Sequence, residues 1–181
     1  MLIDVQRSML LAIDLQQKMM PAIADGGEIL ANCTWLIRAA QKLGVPVAAC
    51  EQYPKGLGPL VAPVRELLPD KAIAAKNRFS AVAAACLTDL PGGERTQAIL
   101  IGIEAHVCLL QTALDLYHEG KEVYVVADCV GSRCHSDRDL ALARMRQEGV
   151  RIVSREMVVF EWLGEAGTPL FSAVNKEFLK A

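Results

Sequence analysis

Three side chains far apart in the chain carry the chemistry to be explained: Asp14, Lys76 and Cys108. Cys108 lies in "GIEAHVCLLQTALDL", residues 102–116, where an apolar run passes into a helical pattern. Glu104 and His106 stand two residues apart ahead of it, which puts an acid, an imidazole and a thiol in one stretch. Such residues share a face only while a strand continues, and this one bends into a helix. Glu104 is therefore expected to contribute backbone, and His106 packing or a cap. A thiol opening a helix gains from the backbone N–H groups and the helix dipole, which are expected to lower its pKa. Asp14 closes "LLAID", and an acid after four apolar residues is costly unless solvated, paired or working. Lys76 closes "AIAAK", a position where a lone lysine is ordinarily solvated. Cys33, Cys50 and Cys86 read as buried and inert, while Cys129 and Cys134 straddle a turn without CxxC spacing.

Short apolar runs alternate with helix-period segments, and these must position the three residues. "MLLAID", "VPVAAC", "KAIAAK", "QAILIGI", "EVYVVADCV" and "VRIVSRE" read as six strands. Helices are expected over 29–43, 82–90, 109–120 and 138–147, and in the tail. Strands that are apolar throughout are buried on both faces, and β-α alternation implies a parallel sheet. The expected fold is a three-layer α/β/α sandwich with a six-stranded parallel Rossmann-like sheet, one domain over residues 1–181. In such an order the first and fourth strands are neighbours, about 5 Å apart, so Asp14 and Cys108 flank the switch-point crevice. Lys76 must reach in from the third strand on its long stem. The irregular stretch "EQYPKGLGPLVAPVRELLPD", with two Gly and four Pro, leaves the second strand beside that crevice. Loops of this length in a compact domain are usually functional.

Composition narrows the partners. Net charge is −2, hydrophobic residues make up 52% and charged residues 22%. No dense Lys/Arg cluster appears, so neither nucleic acid nor an anionic membrane is an expected partner. "SMLLAIDL" is too short to span a bilayer and lacks the features of a signal peptide. Six cysteines without an export signal indicate reduced thiols and an expected cytoplasmic location.

Asp14 in "AIDLQ", Lys76 in "KNRFSA" and Cys108 in "GIEAHVCLLQTALDL" resemble the Asp–Lys–Cys triad of the isochorismatase-like cysteine hydrolases. "EQYPKGLGP" and "VADCVGSR" resemble the branch of isochorismatase-domain hydrolases whose substrates are mostly unassigned. The resemblance implies Cys108 as nucleophile forming a thioester, Asp14 as proton carrier and Lys76 as electrostatic partner. It further implies a cis peptide at Ile103–Glu104, and an oxyanion site made by the N–H groups of Glu104 and Cys108. Gln16, Tyr53 and Phe79 are expected to line a pocket for a small-molecule substrate. The metal-binding Asp-x-His of nicotinamidases is absent, since "EQYPKGLG" stands there, so neither metal nor other cofactor is expected. A homo-oligomer is implied by resemblance alone. The expected activity is hydrolysis of an amide or related C–N bond. The alternatives are vinyl ether hydrolysis of the isochorismatase type, or a non-catalytic redox or scaffold protein on this fold.

Overall fold

The computed structural model describes residues 1–180. Strand β1 (Ser8–Ile13) leads into helix α1 (Gly26–Lys42), then β2 (Val47–Gln52). Two single-turn helices, α2 (Pro54–Leu57) and α3 (Ala62–Arg65), precede β3 (Ile73–Lys76). After β4 (Gln97–Ile103), a π-helical turn over 105–109 opens α4 (Leu110–His118). Then follow β5 (Glu122–Gly131), α5 (His135–Gln147), β6 (Arg151–Val153), α6 (Arg155–Leu163) and α7 (Pro169–Val174).

The six strands form one sheet in the order β3-β2-β1-β4-β5-β6, and every pairing is parallel. The alternation of side chains along the strands divides two apolar layers. Leu10 and Ala12 of β1, with Ile99, Ile101 and Ile103 of β4, pack under α1 and α6. Met9, Leu11 and Ile13, with Ala98 and Leu100, pack on the opposite face under α4 and α5. Helix α1 forms because Ile29, Cys33, Leu36, Ile37 and Ala40 recur at helical spacing and are all buried. The three-layer α/β/α architecture is the one expected from the sequence. Among the described residues no helix is long and apolar enough to cross a membrane.

Three segments depart from expectation. Residues 82–90 form successive turns rather than a helix. Ala85 takes a left-handed backbone there, with φ 53°, and Pro91-Gly92-Gly93 ends the run before a helical ladder can propagate. The sixth strand stops at Val153, because the Ser154 side chain accepts from Met157 N at 3.2 Å and caps α6. The tail is broken into α6 and α7, with Gly164 and Gly167 at positive φ between them, and α7 runs on into a π-helical turn, Asn175–Leu179. The loop after β2 is better ordered than its Pro and Gly content suggested. Val61 N donates to Leu15 O at 2.8 Å, and Gln16 bridges antiparallel to Leu60.

Strand order reverses at β1, between β2 and β4, and that is where an open α/β sheet binds ligands. Gly102 makes the approach possible. It sits at a register shift in the β4–β5 pairing, with φ +118°, and a Cβ there would lie 2.1 Å from Ile13 O.

Candidate active site

Asp14 leaves β1 with φ 52°, a left-handed conformation costly for most side chains but tolerated by Asp. Its N–H donates to Cys50 O, and its own carbonyl accepts from Gln16 N at 2.7 Å. The turn is thereby fixed, and the carboxylate lies fully buried. Lys76, the last residue of edge strand β3, reaches across β2. Its Nζ donates to Asp14 Oδ2 at 2.8 Å, both side chains being sealed from solvent. Cys108 lies in the π-helical turn after β4 and is 3% exposed. The Glu104 carbonyl accepts from Val107 N and Leu109 N and passes over the N–H of Cys108. The peptide bond Ile103–Glu104 is cis, and among the described residues the Glu104 N–H has no hydrogen-bond partner.

Two residues join this cluster that the sequence reading had not placed there. The Gln52 side chain accepts from Lys76 Nζ at 2.7 Å, and its Oε1 lies 4.0 Å from Cys108 Sγ. The Cys50 thiol, read as inert, points at Asp14 Oδ1 from 3.4 Å. Both sit on β2, the strand between Lys76 and Asp14, and that placement was the available signal.

The electrostatics are those of a buried, paired cluster. Burial pushes the Asp14 carboxyl up, against the opposing pull of Lys76. Burial pulls the Lys76 ammonium down, but Cys50 and the Asp14 carboxylate outweigh it and leave Lys76 firmly protonated. Burial, and then the Asp14 charge, push Cys108 up to about 12, with Lys76 drawing the other way. This corrects the expectation from the helix start. Burial and the facing Asp14 carboxylate raise the thiol, where the helix start was expected to lower it.

Cys108 opens on a cavity of about 350 Å³. Met19, Ile23, Leu57, Phe79 and Val107 give it apolar walls, and Lys18, Glu104 and Arg133 a charged edge. Glu104 Oε2 accepts from Arg133 Nε at 2.8 Å. Of the three expected pocket residues only Phe79 lines this cavity. Gln16 is fully buried, with its amide committed to backbone: it donates to Gln52 O and Gly58 O and accepts from Gln52 N. Tyr53 turns outward, 54% exposed, because its left-handed backbone starts α2 and its ring lies over Gly56. His106 is held by Ser132 Oγ at 2.9 Å.

Among the described residues no group of three or more His, Cys, Asp or Glu side chains is arranged to hold a metal. Glu51, the one acid of the loop start, accepts from Leu60 N at 2.8 Å. The redox alternative loses its pair: Cys129 is buried beside Cys33, whereas Cys134 is exposed.

Known proteins match on sequence and on shape. The model of the isochorismatase domain matches residues 8–157. The chain belongs to the isochorismatase family. Isochorismatase domain-containing protein 2A of Mus musculus is 38% identical over 174 residues, 94% of this chain and 82% of that protein. Isochorismatase domain-containing protein 1 of Salmo salar is 39% identical over 165 residues. That match takes in 90% of this chain but only 57% of the salmon protein. Among solved structures, the MAR1 ribonuclease of Caenorhabditis elegans is 37% identical and superposes with TM-score 0.88, covering 100% of this chain and 94% of that one. The YcaC gene product of Escherichia coli, described as an octameric hydrolase of unknown specificity, shares the fold at TM-score 0.89 and 21% identity. That likeness covers 98% of this chain and 91% of the YcaC chain. The protein thus has an isochorismatase-family hydrolase fold.

Proposed function

We propose that the protein is a cysteine-dependent hydrolase of a small molecule that cleaves an amide or related C–N bond through a thioester at Cys108. The observation that carries this reading is the sealed Asp14–Lys76 pair at 2.8 Å, set beside a thiol that opens on a cavity. A buried ion pair is expensive to desolvate and adds little to stability. Next to a nucleophile it serves as a proton carrier and its electrostatic partner.

Because Cys108 rests as a thiol, attack is coupled to proton transfer. Asp14 takes the S–H proton as sulfur bonds to the carbonyl carbon, and Lys76 balances the negative charge as it passes from carboxylate to thiolate. The N–H groups of Glu104 and Cys108 are the donors proposed for the oxyanion. As the C–N bond breaks, Asp14 delivers the proton to the leaving amine. It then takes a proton from water, whose oxygen attacks the thioester, and the thiol is restored when sulfur leaves with that proton. No step needs a metal or an organic cofactor.

A small substrate suits the cavity volume and its mostly apolar wall. RNA is the second reading, favoured by the description of the Caenorhabditis elegans structure. The net charge of −2 opposes it, since phosphate binding draws on clustered Lys and Arg. The test is a panel of small amides and ureido compounds scored for ammonia release, with a vinyl ether and a labelled RNA as further arms. Ammonia from one amide or ureido compound, dependent on Cys108, supports the proposal. Cleavage of RNA or of the vinyl ether alone replaces it.

Self-association belongs to the same proposal. Met157 and Phe160 on α6 and Leu170 on α7 are about half exposed and offer an apolar surface to a second copy. Sedimentation is expected to give a species heavier than the 19.6 kDa chain, and a single 19.6 kDa species at micromolar concentration refutes this.

A further inference from the structure

We infer that Gln52 is a positioning residue that aims the Lys76 ammonium at the reacting thiol, and that Gln16 fixes Gln52 for this task. The inference rests on the reading of Cys108 as nucleophile. Lys76 comes from the edge of the sheet and must span two strand spacings, roughly 10 Å, to meet Asp14. A flexible four-carbon stem held only at Asp14 would leave the direction of its remaining donors undetermined. Gln52, on the strand between, removes that freedom. Its Nε2 donates to Asn77 O at 2.8 Å, and this sends Oε1 inward, 2.7 Å from Lys76 Nζ. Two of the three ammonium donors are then committed, to Asp14 and to Gln52, and the third is left for the sulfur.

Gln52 is itself held from behind. Gln16 Oε1 accepts from Gln52 N at 2.7 Å, while Gln16 Nε2 donates to Gln52 O at 3.0 Å and Gly58 O at 2.6 Å. Two carboxamides, joined through the Gln52 backbone, thus connect the β1 turn, the end of β2 and the loop to one ammonium. The amide is also the right chemistry. It offers Lys76 a neutral acceptor 4.0 Å from Cys108 Sγ, where a carboxylate would repel both Asp14 and the developing thiolate.

The test is the rate of Cys108 modification by iodoacetamide against pH, read peptide by peptide by mass spectrometry, with circular dichroism to verify folding. Gln52→Glu keeps the shape and adds charge. Its rate at pH 8 is expected to fall about tenfold, with the profile displaced upward by about one unit. Gln52→Met keeps the length and removes the acceptor. If Oε1 acted only on the thiol, its loss would speed modification; as the anchor of Lys76 its loss slows it, by about threefold or more. Gln16→Met should move the profile in the same direction by less. Lys76→Met separates the two levels of the argument. A Lys76→Met profile equal to wild type sinks the Asp–Lys–Cys reading itself. A displaced Lys76→Met profile, with the Gln52 variants on the wild-type curve or Gln52→Met faster, overturns the role of Gln52 alone.

Discussion

Cys129 and Cys108 are two buried thiols of the same sheet, on β5 and just after β4. Cys129 is fully buried, and its neighbours are Cys33, whose thiol donates to the Cys129 carbonyl at 3.2 Å, and the apolar layer under α1. The Cys33 contact and burial push Cys129 far upward, and the acid and the cation that also act on it, Asp128 and Arg155, are paired with each other at a partly exposed site. Cys108 is nearly as buried but meets Asp14 and Lys76 on one side and a cavity on the other. Burial alone therefore makes a cysteine inert. What distinguishes the other one is an acid–cation pair sealed from solvent beside the thiol, and an opening onto a cavity.

The contrast can be broken most directly by truncation. On a substrate from the amide panel, Cys108→Ala is expected to lower kcat/KM by about 10⁴-fold or more, while Cys129→Ala leaves it within about twofold. Equal losses in the two variants would erase the distinction. Asp14→Asn comes next, with a loss of about 10²–10⁴-fold, since an amide cannot accept the thiol proton. Wild-type ammonia release from this variant removes Asp14 as the base.

The difference in charge environment also predicts a pH signature. Cys108 is raised from 9.0 to about 12 in the folded protein, so its modification by iodoacetamide should rise about tenfold per pH unit through pH 10 without levelling. A plateau near pH 8 would mean a thiolate at rest and contradict the resting state described above. The same shift bears on stability. A group raised on folding stabilises fully below its unfolded pKa, and that contribution is lost as pH rises through its folded pKa. Denaturant midpoints should therefore fall between pH 9 and 12, and fall less in Cys108→Ala. The smallest effect belongs to the inert pair. Cys33→Ser should cost about 1 kcal/mol in urea unfolding, through a polar group in an apolar layer, and leave turnover unchanged. A lost activity there would give this side of the sheet a role it is not assigned.

What was legible in the sequence followed from periodicity. Apolar strands such as "QAILIGI" and the stripe Ile29–Cys33–Leu36–Ile37–Ala40 gave the layers, and β-α alternation brought Asp14 and Cys108 to one edge. The side chains of the β2 end were not legible, because a strand end alternates faces and the register there was unknown. Once Gln52 pairs with Lys76 in the β2–β3 ladder, its amide falls beside the ammonium, and Glu51 falls on the loop. Gln16 and Tyr53 were misplaced for a related reason: each sits in a backbone turn whose conformation no periodicity reports. Residues 82–90 were misread because alanines favour a helix locally, whereas the chain there has to fold back toward β4.

The central claim is that Cys108 carries the acyl group during turnover, and rapid acid quench followed by peptide mass spectrometry tests it most directly. With an amide substrate in excess, the account predicts the acyl mass on the peptide containing Cys108, appearing before steady state and lost again as substrate is exhausted. Turnover with that peptide unmodified at every quench time, and with Cys108→Ala still active, would contradict it.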